Sequence, residues 1–344
     1  HIRQWGELKD EYLGPAFTRK FNKGDILYGS RRTYLRKVSL AKFDGITSNT
    51  TFVVNANEEF LHPELLPFIM LSEGFSQHSI SFSRGSVNPY VNWKDLEKYE
   101  FLLPPKDQQE KIAELLWAIN DVIEKSEDAL EKLKSIYLST IEKVLLNKNG
   151  VKKKVSELGI MIRGVGYKPE DLLNEYSDES CIILRANNIE DSSINYDDVK
   201  ILRLFKVNEP QLLEHNDFAI CMSNGSKELV GKSAKYNENL KNVSVGSFCA
   251  VFRPNGDRET SIIQHFFASE SYRQNIKRVL TGALINNLKP IDIEGISFRI
   301  NASDSIIDNT LEKLDKIEGV IIRMKKTIVK SKHLQKSLIN EIFS

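Results

Sequence analysis

Apolar residues recur every seven positions in two long stretches of the chain. In the first stretch, residues 109 to about 146, one row is Leu116, Ile123, Leu130, Tyr137 and Val144, and its companion row is Ile112, Ile119, Ser126, Leu133 and Thr140. In the second, residues 305 to 343, the row is Ile307, Leu314, Ile321 and Ile328, flanked by Ile317, Met324 and Leu338. Such heptads predict two long helices that pack on each other, antiparallel, as a coiled coil. The alternative is core packing in an ordinary helical domain.

The residues outside these stretches have shorter patterns that predict mixed structure. Strands are predicted at residues 25–28, 51–54 and 99–103, and again at 181–184, 218–222, 248–252 and 295–300. Helices are predicted at residues 63–75 and 262–277. The fold class is therefore α+β, with mixed domains at 1–103 and 151–303, a central helix within 104–150 and a final helix within 304–344.

The second halves of the two mixed segments align at a fixed offset, which indicates a duplicated unit. Ser72, Glu73, Gln77, Gly85, Asp95, Glu97 and Phe101 recur 197 residues later as Ser269, Glu270, Gln274, Gly282, Asp292, Glu294 and Phe298. A duplicated segment followed each time by a long helix predicts an approximate twofold axis within one chain. Such a chain suits a nearly twofold target, or two copies of one partner.

Composition excludes some classes of function without selecting one. A net charge of +1 over 344 residues does not by itself indicate a nucleic-acid binder. Cys181, Cys221 and Cys249 are isolated, with no histidine at ligand spacing, which argues against structural zinc and fits a reducing cytoplasm. No run of about 18 apolar residues predicts a membrane span, so no membrane partner is expected.

Two incomplete motifs argue against catalysis. Between Gly225 and Gly231, before Lys232, lie five residues where a phosphate-binding loop has four. The tripeptide Asn88-Pro89-Tyr90 resembles part of the Asn-Pro-Pro-Tyr signature of adenine-N6 methyltransferases, but one proline is absent and no glycine-rich loop for S-adenosylmethionine precedes it. The sequence therefore predicts no catalytic residue, metal site or cofactor in this chain.

Polar loops at the strand ends carry residue types that bind DNA. Arg and Lys neutralise phosphates, Ser and Asn donate to phosphates or bases, and Arg and Asn can pair with guanine and adenine. The candidates in the first copy are Tyr28, Ser30, Arg31, Arg32, Arg36, Lys37, Ser48, Asn49, Ser83, Arg84 and Ser86. Those in the second copy are Arg163, Tyr167, Lys168, Arg185, Asn187, Asn188, Ser223, Asn224, Ser226, Lys227, Lys232, Arg278, Asn286 and Asn287. The alternative is ordinary surface turns, which use the same residues.

The layout resembles that of the specificity subunits of type I restriction–modification systems. Residues 103–116, which begin Leu-Pro-Pro-Lys-Asp-Gln-Gln, are similar to the Pro-Pro-x-x-x-Gln-x-x-Ile entry into that family's central helix. Segments 162–168, 184–189, 222–227, 230–234, 248–249 and 285–290 are similar to its second recognition domain. The sequence departs from the family pattern in two places. Compared with the second copy, the first copy is expected to lack about 40 residues at its front, either because the sequence is a fragment or because another segment completes the domain. Before the final helix, Ile300-Asn301-Ala302-Ser303 replaces the Pro-Pro entry.

The resemblance implies two target-recognition domains joined by two antiparallel helices in a non-catalytic subunit. Such a subunit would read a bipartite sequence in double-stranded DNA and dock two methyltransferase subunits and the restriction subunits. S-adenosylmethionine, ATP and Mg²⁺ would then bind the partners, and the assembled complex would be an adenine-N6 DNA methyltransferase and ATP-dependent endonuclease in a bacterial or archaeal cytoplasm. The main alternative is a coiled-coil scaffold without DNA specificity, and the broken motifs disfavour a third, a self-contained methyltransferase or nucleotidase.

Overall fold

The computed structural model describes residues 14–190, 192–238, 240–281 and 286–343, which form two compact units. The first unit consists of His1–Leu130 and Arg323–Ser344, and the second of Glu131–Ile322. Both units combine helices with sheets, so the α+β fold class is confirmed. Residues 1–13 of the first domain, Gly282 of the repeat and Ile285 of the family segment lie outside the described residues. The domain boundaries and the twofold axis stay predictions.

The described residues of the first unit form two small antiparallel sheets and three short helices beside parts of the long helices. Its elements are β1 Phe17–Phe21, β2 Ile26–Gly29, β3 Val38–Leu40, β4 Gly45–Ser48, β5 Thr51–Val54, α1 Leu66–Leu71, α2 Glu73–Ser81 and α3 Trp93–Leu96. The long helix α4, Lys106–Thr140, follows and continues as a π-helical turn at Ile141–Leu145. The strand order is β3-β2-β5 in one sheet, and β1 pairs with β4 in the other.

The second unit has more strands. Its elements are β6 Val151–Lys154, β7 Gly159–Arg163, β8 Leu172–Leu173, β9 Ser180–Leu184, β10 Ile189–Glu190, β11 Ser193–Ile194, β12 Lys200–Arg203, β13 Phe218–Cys221, β14 Ser233–Lys235, β15 Val243–Val245, β16 Cys249–Pro254, α5 Asp257–Ala268, α6 Glu270–Leu280, α7 Pro290–Glu294 and β17 Ser297–Ile300. The last helix, α8, is Asp304–Phe343. Its two larger sheets have the orders β14-β13-β16-β7 and β15-β9-β12-β8. Their apolar faces bury a continuous core that includes Val245 and Val251.

Six of the seven predicted strands are present, and the seventh prediction was wrong. Residues 99–103 form no strand, although the equivalent residues of the second copy form β17 and pair with β6. A strand needs a partner for its backbone groups, and no described residue of the first unit takes the place of β6. Instead, the rings of Tyr99 and Phe101 stack with centroids 5.7 Å apart.

Each of the two helices predicted in the mixed segments is in fact a pair of helices. The break lies at Ser72 in the first copy and at Ser269 in the second, where the backbone is extended. The Ser72 hydroxyl accepts from the Phe75 amide at 3.2 Å, and the Ser269 hydroxyl accepts from the Tyr272 amide at 3.0 Å. Serine at an N-cap stabilises a new helix start, so the repeat preserves a helix break that the apolar pattern alone did not show.

The heptad rows predict the buried faces of both long helices, with one error. Four members of the row on α4 and all four on α8 are buried: Leu116, Ile123, Leu130, Tyr137, Ile307, Leu314, Ile321 and Ile328. Val144 is exposed instead, because the π-helical turn holds extra residues per turn and shifts the buried positions to Ile141 and Leu145.

Within the first unit, α4 and α8 pack in opposite directions. Leu116 of α4 belongs to one apolar cluster with Ile339 and Phe343 of α8, while further along α4 Glu127 pairs with Lys332 at 2.6 Å. Partner numbers on α8 therefore fall as those on α4 rise, which confirms the antiparallel pairing in this unit. A fully buried Leu or Phe in such a seam stabilises the fold by roughly 1.5–3 kcal/mol.

Candidate DNA interface

Three loops of the first unit meet at the end of β2; we call them the first loop cluster, residues 30–37, 47–50 and 83–91. The Ser30 amide donates to the Thr50 carbonyl at 3.0 Å, and the Ser30 carbonyl accepts from the Val91 amide at 3.0 Å. The Arg32 amide donates to the Pro89 carbonyl at 2.7 Å. Because these bonds join backbone atoms, they hold the loops together whichever side chains the loops carry.

Two exposed arginines flank one tyrosine in this cluster. Tyr90 forms β-bridges with both Arg31 and Arg84. The Arg31 guanidinium carbon lies 5.7 Å from the centre of the Tyr90 ring, and Arg84 also pairs with Asp95 at 3.2 Å. When a guanidinium packs over an aromatic ring, the contact between its flat face and the ring holds it in position. The N–H groups at the edge of the guanidinium stay free to donate hydrogen bonds. The pair can thus present donors to a phosphate or to a guanine edge.

Backbone strain is present in the same loop. Arg32 and Arg36, on either side of the short turn Thr33–Leu35, have φ values of 52° and 46°. A non-glycine residue in this left-handed region costs about 1 kcal/mol or more, and such residues concentrate at functional sites. The Arg36 side chain is held by Glu73 at 2.6 Å. The strained turn leaves Arg32 exposed.

Five loops of the second unit meet in the same way; the second loop cluster is residues 163–168, 185–188, 222–227, 246–248 and 286–288. The Gly164 amide donates to the Cys249 carbonyl at 3.2 Å, and the Gly246 amide donates to the Leu184 carbonyl at 2.9 Å. A Cβ atom on Gly164 would overlap the Gly246 carbonyl oxygen. Glycine is therefore required where these two loops approach each other.

Three backbone hydrogen bonds of the first cluster have counterparts in the second. In the second cluster the Met222 amide donates to the Phe248 carbonyl at 2.8 Å, and the Met222 carbonyl accepts from the Leu288 amide at 2.8 Å. The Asn224 amide donates to the Asn286 carbonyl at 3.4 Å. These bonds follow the same order along the chain as the Ser30 and Arg32 bonds of the first cluster, although the Asn224 bond is longer than the Arg32 bond. The duplication therefore includes the loop frame, where sequence similarity is lost.

Most of the predicted contact residues lie on these clusters with accessible side chains. In the first cluster Arg31, Arg32, Lys37, Asn49, Arg84 and Ser86 are exposed, and Arg36, Ser48 and Ser83 are half-buried. In the second, Arg163, Lys168, Asn187, Ser226, Lys227 and Asn287 are exposed, and Tyr167, Arg185, Ser223, Asn224 and Asn286 are half-buried. Half-buried Lys232 lies beside the cluster, since its carbonyl accepts from the Cys221 amide at 2.9 Å. Arg278 is exposed on α6, and no described backbone bond joins it to the cluster.

Three predicted contacts are buried and bond within the protein. The Tyr28 hydroxyl lies 2.6 Å from the Ser79 hydroxyl, and burial raises the pKa of Tyr28. The Ser30 hydroxyl donates to the Thr50 carbonyl, and the Asn188 amide nitrogen donates to the Asp197 carbonyl. These side chains support the loops from inside, so we do not propose them as contacts with a ligand.

Three accessible aromatic residues on the clusters were not among the sequence candidates. Tyr34 is 54% exposed, Tyr90 is 40% exposed and Phe248 is 68% exposed. The repeat offset of 197 residues does pair Tyr90 with Asn287, a predicted contact, and this signal was available in the sequence. Phe248 was predicted as part of a strand, and only the loop packing shows that it lies at the surface.

The surroundings of the clusters do not offer an activated thiol or the helix of a phosphate-binding loop. Burial raises the pKa of the Cys249 thiol, beside the second cluster, to about 12, which keeps it protonated. After Gly231 the chain forms strand β14, so the sequence Gly231-Lys232 opens no helix. None of the described helices is long and apolar enough to cross a membrane.

One group of potential metal ligands among the described residues is His265, Asp315 and Glu318, whose ligand atoms lie within 4.8 Å of one another. Both nitrogens of His265 are engaged within the protein: Nδ1 lies 2.8 Å from the Tyr137 hydroxyl and Nε2 lies 2.9 Å from Asp315. The described contacts of His265 are thus those of a buried hydrogen-bond chain between helices.

The amino-acid sequence is similar to those of type I restriction enzyme specificity subunits. A sequence profile of the type I restriction modification DNA specificity domain matches residues 4–135. The StySPI specificity subunit of Salmonella potsdam is 34% identical over 188 residues, which cover 51% of this chain and 40% of that protein. The EcoKI specificity subunit of Escherichia coli K12 is 37% identical over 162 residues, covering 46% and 35%. The chain therefore matches less than half the length of these curated relatives.

Solved structures with the same fold extend over most of the chain. The S subunit of a type I restriction–modification system from M. genitalium superposes with a TM-score of 0.65, at 15% identity, over 94% of this chain and 83% of that one. A second structure, from work on complex assembly and conformational transition of the type I system, gives a TM-score of 0.52 at 16% identity, over 98% and 86%. At such low identity these likenesses show the fold alone.

Proposed function

We propose that the chain is a non-catalytic specificity subunit of a type I restriction–modification system, which reads DNA sequence. The match of residues 4–135 to the type I DNA specificity domain and the likeness to the StySPI and EcoKI specificity subunits support this proposal. Each loop cluster would read one half of a bipartite site in double-stranded DNA. One observation carries the proposal: the two loop clusters are held by corresponding backbone hydrogen bonds, but they present different side chains at the surface. Two copies of one frame can present two different sets of base contacts, as an asymmetric target requires.

The chemistry of the clusters supports DNA as the ligand. Arginine and lysine side chains are suited to phosphates, and the amide side chains of Asn187, Asn224 and Asn287 are suited to base edges. A net charge of +1 for the whole chain means that these basic side chains are offset by acidic groups elsewhere in the sequence. The interface would then be a local basic surface on a nearly neutral protein.

The long helices are the proposed docking elements. They would bind two methyltransferase subunits, which carry S-adenosylmethionine and the pocket for a flipped adenine, and restriction subunits, which use ATP and Mg²⁺. The present chain would supply register and sequence choice, and the length of its helices would set the unread spacer between the half-sites.

Methylation mapping tests the function directly. The full chain is co-expressed with the methyltransferase subunit of its own system in a host that lacks both, and methylated adenines are mapped across the genome. We expect two short motifs at one constant spacing. A coiled-coil scaffold without DNA specificity would leave the methylation pattern unchanged when the chain is omitted.

Single substitutions separate base contacts from phosphate contacts. Arg163→Ala, Asn187→Ala and Asn224→Ala should each weaken binding to the mapped duplex by about 1–3 kcal/mol and binding to an unrelated duplex much less. Arg203→Ala is the matched control, because it removes an exposed arginine on β12 of the same unit that is not among the predicted contacts and that no described backbone bond joins to the cluster. Equal losses on both duplexes would assign the three residues to the phosphate backbone and leave base reading to other side chains.

A further inference from the structure

Phe248 is an exposed apolar residue on a surface that is otherwise polar. Its side chain is 68% exposed, whereas the next residue, Cys249, begins β16 and is buried. Phe248 lies in the turn that precedes β16, and its ring faces outward there. An apolar ring of this size left in water costs free energy that burial against a ligand would recover.

The ring is mounted on a fixed backbone. The Phe248 carbonyl accepts from both the Met222 and the Ser223 amides, at 2.8 and 3.1 Å. The Cys249 amide donates to the Gly246 carbonyl at 2.8 Å, which closes the turn that carries Phe248. Because these bonds already fix the turn, binding requires little further ordering of the loop. The favourable contact energy of the ring is therefore not offset by a large loss of conformational entropy.

The neighbours of Phe248 identify the chemistry of its partner. The amides of Ser223 and Met222 tie it to the loop that continues into Asn224, and Ser223 forms a β-bridge with Asn287. Hydroxyl and amide side chains beside an apolar ring match a base-pair edge, which offers donors, acceptors and the thymine 5-methyl group in one plane. A phosphate would gain nothing from the ring.

We propose that Phe248 contacts the 5-methyl group of a thymine in the half-site read by the second copy. This inference rests on the proposed function, since it names one base contact within it. In the first copy the same place in the frame is held by Thr50, whose carbonyl accepts from the Ser30 amide at 3.0 Å. Only the second copy therefore has an apolar ring at this position, and the base preference of that ring applies only to the half-site that the second copy binds.

Replacement of thymine by deoxyuridine tests the contact, because it removes only the methyl group. The full chain, assembled with its methyltransferase subunits, is titrated with duplexes of the mapped sequence in which each thymine in turn is deoxyuridine. One substitution, in one half-site, should weaken binding of the unaltered protein about fourfold, the value of one buried methyl group. Phe248→Ala should weaken binding to the thymine duplex roughly tenfold and should abolish the effect of that same deoxyuridine.

Two variants serve as controls. Phe248→Leu keeps an apolar side chain and should retain most of the deoxyuridine effect. Phe205→Ala removes the side chain of another exposed phenylalanine of the same unit, 76% exposed in the turn Leu204–Lys206, and should leave the deoxyuridine effect unchanged.

The outcomes distinguish this inference from the function on which it rests. A protein that does not prefer the mapped duplex at all would refute the proposed function. Specific binding in which Phe248→Ala keeps the full deoxyuridine effect, or weakens cognate and unrelated duplexes equally, would refute the Phe248 contact alone. A pair of half-sites without any A·T pair would do the same.

Discussion

Arg31 and Ser223 occupy the same place in the two copies but present different chemistry. Each forms a β-bridge across its cluster, Arg31 with Tyr90 and Ser223 with Asn287. The bonds that hold these bridges use backbone N–H and C=O groups, which every non-proline residue supplies. Side chains at the surface can therefore diverge between copies at little cost to the fold, as two readers of different sequences require.

The repeat also pairs two positions that contact the long helices but differ in chemistry. Phe68 and His265 are 197 residues apart. Phe68 packs on Trp117 of α4, with ring centroids 5.1 Å apart at an angle of 66°. His265 instead accepts from the Tyr137 hydroxyl at Nδ1 and donates from Nε2 to Asp315 of α8, an assignment that satisfies both partners. One copy buries an apolar pair here, and the other buries a polar chain whose members depend on one another.

The largest expected effect is at this polar chain. His265→Leu would leave the buried Tyr137 hydroxyl without its partner and would remove one of the donors to Asp315, which keeps the Ser261 hydroxyl at 3.1 Å. The expected cost is about 3 kcal/mol in unfolding free energy. Phe68→Leu keeps an apolar contact and should cost less than about 1.5 kcal/mol. Urea unfolding of both variants measures the difference. Equal losses would mean that the two contacts are equivalent despite their chemistry.

A smaller and equal effect is expected at the two helix breaks. Ser72→Ala and Ser269→Ala each remove an N-cap acceptor and should each cost about 1 kcal/mol of unfolding free energy. Glycine at either position should cost only a few tenths of a kcal/mol, because it keeps the extended backbone. Clearly unequal alanine losses would contradict the view that the repeat preserves one capping device in both copies.

The smallest effect concerns pH. Hydrogen bonds from Arg36, and then from Gln77, lower the pKa of Glu73 from 4.5 to about 2. A carboxyl whose pKa is lower in the folded state stabilises the protein above its ordinary pKa, and this contribution is lost as pH falls from about 4.5 toward 2. Glu73→Gln should therefore reduce the loss of stability between about pH 6 and about pH 3, by less than about 1 kcal/mol because the pair is partly exposed.

Glu270, 197 residues after Glu73, provides the comparison for this measurement. Its described side-chain bond is the one from Gln274 at 3.5 Å, without a described arginine partner. Glu270→Gln should change the urea midpoint at low pH less than Glu73→Gln does. The opposite order would show that Arg36 is not the source of the acid sensitivity.

Local sequence patterns correctly predicted the structural elements that have a regular spacing of apolar residues. The heptad rows predicted the buried faces of α4 and α8, and the family resemblance, read largely from residues 103–116, was confirmed by the comparisons. The errors have local causes. Val144 lost its predicted burial to a π-helical turn, and residues 99–103 have a strand-like composition but no described partner strand.

The sequence by itself determined two amphipathic helices and a duplicated α+β segment, because each of these leaves a periodic or repeated signal along the chain. It also showed the resemblance to type I specificity subunits, because that depends on short motifs of consecutive residues. Only the tertiary structure decided which polar residues are accessible. Ser30 bonds to Thr50 and Met222 bonds to Phe248 through backbone atoms, although the partners are 20 or more residues apart in sequence. Because nearly every residue type supplies these backbone groups, such bonds cannot be predicted from the identity of the residues. For the same reason Tyr28 and Asn188 are buried, and Phe248 is exposed beside the polar loops.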